Sequence, residues 1–206
     1  MQKLQKTPME ALLLSRSEEA EDLRNAAFSG EDAPELHLGM IDLVGCTFTG
    51  CHMTDCRFAG TGFENVTFVD CDLSGSRFTE GGLRRVTFRD CRLLGVSFDQ
   101  CVLSEVRLEN ASGRYLRMLE CSLKGCRLEG GTFTGGGFQS LKLKKCTLEG
   151  CDLSRCDFRG TALSGVDLSA CRIEGCTWTP ELLRGLTVSM DQALDLSRLL
   201  GLTIKA

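Results

Sequence analysis

Histidine is nearly missing from this 206-residue chain: only His37 and His52 are present. Both lie toward one end, so no nucleophile–histidine–acid set can be assembled, and no catalytic residues are expected. Metal centres usually combine histidine with cysteines two to four residues apart, and that spacing is missing too. No metal or other cofactor is expected. The glycine run Gly135-Gly136-Gly137 lacks the lysine spacing of a phosphate-binding loop. Long apolar stretches are also absent. The longest near the N-terminus is Ala11-Leu12-Leu13-Leu14, too short for a signal peptide or a membrane span. A cytoplasmic location without membrane association is the expectation. Finally, the body of the chain lacks a charge of one sign. Residues 41–178 hold 17 acidic and 17 basic residues, and the net charge of −4 comes from residues 1–40. A net acidic chain repels phosphate, and Lys142, Lys144 and Lys145 form its one basic cluster, so direct nucleic-acid binding is not expected.

What is present is a period of five. All 13 cysteines fall at positions ending in 1 or 6, and all 11 phenylalanines at positions ending in 3 or 8. From Leu43 to Trp178, every position ending in 3 or 8 carries Leu, Phe, Met, Ile or Trp, with Gly113 as the exception. An amphipathic helix repeats every 3.6 residues and a half-buried strand every 2, so neither fits. A strict five needs a chain that turns a corner once per unit, with two side chains of five pointing inward. Four units close a coil after about 20 residues, and stacked coils pair at the strand spacing of roughly 4.8 Å. That is a solenoid, in which each coil touches only its neighbours. Fourteen of the 23 glycines sit at positions ending in 5 or 0, where a corner needs a positive φ.

The cysteines are read from the same frame. Each occupies the small inward position, where Val, Ala, Gly and Ser also occur. Cysteine there acts as a small buried hydrophobe. Pairs twenty apart, such as Cys51/Cys71 and Cys151/Cys171, come within disulfide reach, but parallel side chains fit the required torsion poorly.

Units such as Cys71-Asp72-Leu73, Val166-Asp167-Leu168 and Ile41-Asp42-Leu43 resemble the motif of the pentapeptide repeat proteins. The resemblance implies an all-β solenoid, a right-handed, four-sided parallel β-helix over residues 21–180. Counting unit centres from Leu23 to Trp178 gives about eight coils and a rod of about 38 Å. Residues 1–20 are expected to form an N-terminal helical cap, and residues 181–206 a C-terminal helix with a short strand.

Both ends need closing, because terminal coils expose apolar surface. Thr7-Pro8-Met9-Glu10 reads as a capping box with proline at the first helical position, predicting a helix from about Pro8 to Glu19. Met9, Leu12 and Leu13 would cover the first coil. The frame weakens at Ala33-Pro34, where a bulge or loop is expected, and ends at Trp178. A single helical turn is expected over Glu181–Arg184. Ser189-Met190-Asp191-Gln192 is a second capping box, starting a helix to about Leu200 with Gly201 as its stop. Met190, Ala193, Leu194, Leu196, Leu199 and Leu200 are too many apolar residues for one solvated helix, and Leu202-Thr203-Ile204 reads as a strand. Residues 192–204 resemble the tail of quinolone-resistance-type pentapeptide repeat proteins, which pair end to end. The resemblance implies a homodimer formed through Met190, Ala193, Leu194, Leu196, Leu199, Leu200, Leu202 and Ile204. A plain cap over Trp178 is the alternative. Around Gly113, Arg114 and Tyr115 three readings stay open: a bend, a partner-binding bulge, or a gap filled by a neighbouring side chain.

The resemblance also implies a function. Members of that branch imitate duplex DNA and bind DNA gyrase, and some protect it against quinolones. A mimic should be acidic, and this solenoid is charge-balanced. The competing reading is a structural or scaffold solenoid that binds another protein and has no topoisomerase role.

Overall fold

The computed structural model describes residues 8–202. The backbone of Leu200 is included, but its side chain is not. Thr7 of the first capping box, and Thr203 and Ile204 of the expected strand, lie outside the described residues.

The five-residue period becomes a solenoid of parallel strands in which residue i lies beside residue i + 20. The first face is a seven-stranded sheet running from Leu23–Arg24 to Lys142–Lys144. The second is a seven-stranded sheet from Ala27–Ser29 to Thr147–Glu149. The third is a ladder of single bridges through Asp32, His52, Asp72, Arg92, Ser112, Thr132, Asp152 and Arg172. The fourth has six strands, from His37–Gly39 to Gly137–Gln139, and continues as bridges to Asp157 and Thr177. Within each strand the middle residue points inward and its two neighbours point outward, which is why the apolar residue recurs at every fifth position.

Inside, the large residues stack in columns. Phe28, Phe48, Phe68 and Phe88 lie with ring centroids 4.8–5.2 Å apart. Phe58, Phe78 and Phe98 stack at 4.7 Å on the fourth face. Phe138, Phe158 and Trp178 continue that column at 5.0–5.2 Å. Stacked aromatic pairs add about 0.5–1.5 kcal/mol each beyond their area burial.

Where the small inward residue carries a donor, it hydrogen-bonds as well as filling space. The Cys46 thiol donates to the Leu23 carbonyl, Cys71 to Phe48, Cys121 to Phe98 and Cys156 to Phe133, at 3.1–3.6 Å. Hydroxyls do the same: Thr61 donates to Leu38, Ser76 to Met53 and Thr161 to Phe138. Each acceptor lies 23 residues back, in the preceding coil. Cysteine, serine and threonine therefore exchange at this position because each supplies a short donor aimed at the coil below. The thirteen thiols are free, eleven are buried, and Cys146 and Cys176 are half-buried.

Glycine proves less necessary at the corners than its spacing implies. Asp55, Glu80, Arg85, Glu105 and Lys145 hold φ of 53–57° where Gly45 and Gly50 hold 66° and 59°. Each coil's ladder offsets the strain, because the corner N–H donates to the next coil, as Asp55 does to Ser74 and Glu105 to Lys124 at 2.8–2.9 Å. The expected bulge at Ala33-Pro34 is not formed. Ala33 is fully buried, Asp32 bridges to His52, and Glu35 turns the corner with φ 57°. The proline fits because a third-face corner leaves its nitrogen outside the ladder.

Both helices form. The helix α1 spans Pro8–Glu19, burying Met9 and Leu13 and half-covering Leu12 against the first coil. Glu31 accepts from the Met9 N–H at 2.6 Å, placing a carboxylate at the helix N-terminus. At the other end the frame does not stop at Trp178. Leu163 donates to Leu182, Leu168 to Thr187, and Asp167 bridges to Thr187, so Leu183 and Val188 pack inward as in-frame residues. A 3₁₀ turn covers Pro180–Leu182. The helix α2 follows at Met190–Ser197 with both capping-box bonds formed by Ser189 and Gln192. A 3₁₀ turn at Arg198–Leu200 ends at Gly201, φ 71°.

One irregularity interrupts the stack. On the first face each corner N–H donates to the next coil: Gly45 to Glu64, Asn65 to Arg84, Arg85 to Ser104, Glu105 to Lys124, Gly125 to Lys144. The same bond is missing between Lys145 and Ser164. On the second face it is missing between Gly150 and Ser169. The third and fourth faces keep their bridges across this level. A seam therefore opens at the corner of the first two faces, and Leu143, Cys146 and Leu148 are only half-buried there. Corners also change at this level. From Leu153 onward successive corners close with an i→i+3 bond, at Cys156, Thr161, Val166 and Cys171, whereas earlier coils do so only on the third face. The carboxylates of Asp152, Asp157 and Asp167 each accept the N–H two residues on, at 2.8–3.0 Å, which pulls an extended unit into a tight turn.

Candidate partner-binding surfaces

The C-terminal end gathers most of the described apolar residues assigned to pairing. Leu196 turns onto the core with Leu183 and Val188. Met190, 82% exposed, Leu194, Leu199 and Leu202 face solvent, as does Ala193. Leu202 is not in a strand. Gln192 fixes α2 to the solenoid, donating to the Leu168 and Cys171 carbonyls at 3.0 and 2.7 Å. Beneath α2, a cleft of about 570 Å³ is lined by Arg172, Trp178, Gln192, Asp195, Leu196 and Leu199. An apolar groove of about 310 Å³ runs on the other side between Pro180, Leu183, Val188, Ala193, Leu196 and Leu199. The end is thus partly capped and partly open.

At Gly113 the ladder runs straight through from Arg92 to Ser112 to Thr132, so the possible bend is not there. The Phe133 ring takes the missing side chain's space: a Cβ on Gly113 would approach it to 2.8 Å. Tyr115 lies outside, 58% exposed, over Gly135, with the Arg114 guanidinium carbon 5.5 Å from its ring centre. The pair is a small exposed cation–aromatic feature on a regular corner.

The surface charges are arranged in ladders. Arg84 and Arg85 both pair with Glu64, Arg117 with Asp99 at 2.8 Å, and His52 with Asp32 at 2.8 Å. Every ion pair among the described residues uses arginine or histidine. The four described lysines, Lys124, Lys142, Lys144 and Lys145, all lie together on the first face beside the seam, with Lys124 and Lys144 in register. Sequence reasoning found this cluster but not the seam beneath it. Among the described residues, no group of three or more His, Cys, Asp or Glu gathers in a metal-binding arrangement, and no helix is long and apolar enough to cross a membrane.

A four-faced stack of five-residue units with inward apolar centres defines the class. The chain belongs to the pentapeptide repeat family: a profile described as Pentapeptide repeat region matches residues 41–117 and 61–136, and one described as Pentapeptide repeats (8 copies) matches residues 138–177. Among solved structures the chain is similar to trypsin-treated QnrB1, a plasmid-mediated fluoroquinolone resistance protein. The identity is 19% over 89% of this chain and 99% of that one, with a TM-score of 0.43. It is similar also to HetL, a pentapeptide repeat protein involved in heterocyst differentiation regulation from the cyanobacterium Nostoc sp. strain PCC 7120. There the identity is 14% over 82% of this chain and 87% of that one, with a TM-score of 0.28. A third, the pentapeptide repeat protein Rfr23 from the cyanobacterium Cyanothece 51142, gives 15% identity over 87% and 99%, with a TM-score of 0.26. No curated protein matches the sequence.

Proposed function

We propose that this chain is a non-catalytic interaction rod that pairs end to end through α2 and engages DNA gyrase as a topoisomerase modulator. The observation that carries the pairing is the exposed apolar set Met190, Leu194, Leu199 and Leu202 around a half-covered terminal coil. Apolar surface concentrated at one end of a rod favours association through that end. The gyrase part rests on the resemblance of residues 192–204 to the tail of the quinolone-resistance branch. The charge balance of residues 41–178 favours the second reading, a scaffold that binds another protein.

Two measurements separate these readings. Light scattering is expected to give the mass of two chains for the full protein and of one chain after removal of residues 189–206. An unchanged oligomer mass after truncation removes the pairing. In a gyrase supercoiling assay, micromolar protein is expected to change either the activity or its inhibition by ciprofloxacin. No effect on either leaves the scaffold reading.

A further inference from the structure

We infer that the seam beside the lysine cluster is a docking site for an extended acidic segment of a partner protein, which adds to the open edge of strand Lys142–Lys144. The inference deepens the interaction-rod reading by naming an interface and the chemistry that fits it.

Two independent observations meet here. The first is an unfinished ladder. On this edge the Lys145 N–H lacks the acceptor that its equivalents Gly45, Asn65, Arg85, Glu105 and Gly125 have. The Thr161 hydroxyl accepts from the Leu141 N–H at 3.0 Å, as Ser76 does from Cys56 in the regular ladder, so the coils stay joined at the inner end of the seam and part toward Lys145. Unpaired strand edges recruit extended peptides through backbone hydrogen bonds. Leu143, half-buried at the lip, offers an apolar contact for one side chain of such a peptide.

The second observation is charge. Lys124, Lys142, Lys144 and Lys145 surround that edge, and none forms an ion pair. Lys124 and Lys144 stand one ladder step apart, where like charges repel. The coil across the seam answers with the uncharged Ala162 and Ser164. Carboxylates alternating along an extended segment would relieve this repulsion. The adjoining second face limits the footprint, because its mouth carries Glu149 and Asp167. A duplex wide enough to touch both faces meets those carboxylates, whereas a single strand stays on the lysine side.

The test is fluorescence anisotropy with a labelled twelve-residue peptide of alternating glutamate and valine, using the full-length protein. Saturable binding is expected, weakening about tenfold when Lys142→Glu, Lys144→Glu and Lys145→Glu are combined, since three exposed ion pairs are lost. A peptide of equal charge with proline at two central valines is expected to bind about tenfold more weakly, because proline cannot donate to a ladder. Absence of saturable binding overturns the proposal. So does equal binding of the proline peptide, or tighter binding of a labelled twelve-base-pair duplex. A failed gyrase assay leaves this site untouched, and a failed peptide titration leaves the dimer and gyrase results standing.

Discussion

Phe78→Ala is expected to destabilise the protein by about 3–5 kcal/mol, the range for emptying a buried phenylalanine site. The ring is 1% exposed and sits at the centre of the aromatic interior. It stacks on Phe58 and Phe98 at 4.7 Å and meets Phe63 and Phe88 edge-on at 5.5 and 6.4 Å. Removing it leaves a cavity bounded by rings from three coils. Their backbones are held by ladders above and below, so the walls cannot collapse inward. Guanidinium unfolding followed by circular dichroism would measure the change. Phe78→Leu, which keeps most of the volume, is expected to cost less than half as much. A loss below about 1 kcal/mol for the alanine variant would mean the column is not tightly packed.

The second large effect is chemical. A thiol reagent added to the native protein is expected to label Cys146 first, and all 13 cysteines only in denaturant. Burial is the leading cause of the raised values at Cys56, to about 11, Cys156, to about 12, and Cys176, to about 11. At neutral pH these sulfurs stay protonated, and the thiol is not the nucleophile. Cys146 differs. It lines the mouth of the seam, and the neighbouring Cys126 thiol, as a donor toward it, holds it below the ordinary value. Lowering a thiol's value raises its thiolate fraction at neutral pH, so its labelling persists to lower pH than that of Cys56, Cys156 and Cys176. Cys146→Ser should abolish the first phase of labelling and leave the slow phases intact. Rapid native labelling of most thiols would contradict the closed interior.

Much of the architecture was legible because one period carried it. Cys46 and Phe48 point inward for the same reason, and nothing beyond counting was needed to place them. Both helices were readable from local chemistry: Pro8 at a first turn, and the Ser189–Gln192 box before α2. From sequence the solenoid ends at Trp178, because Pro180 reads as a stop. Leu183 and Val188 continue the frame past a 3₁₀ turn that spends the proline at its start. The Ala33-Pro34 expectation failed for a related reason, since proline suits a corner nitrogen that the ladder does not use. The seam was harder to see. Leu143 and Leu163 obey the frame equally well, and side-chain class says nothing about whether two backbones pair. A signal did exist in Asp152-Leu153-Ser154, Asp157-Phe158-Arg159 and Asp167-Leu168-Ser169. Each places a carboxylate two residues before an N–H it can capture, which marks the tight corners. For the lysine cluster, the residues were plain but their setting was not, because the setting depends on bonds absent twenty residues away.

In a stack whose layers lean only on their neighbours, cooperativity travels through the ladder between them. At the level of Gly150 half of that coupling is gone. The seam divides the stack into a long part sealed by α1 and a short part carrying α2. The short part is expected to lose amide-exchange protection before the long one on heating, which would make the end proposed to hold a second subunit the first to yield.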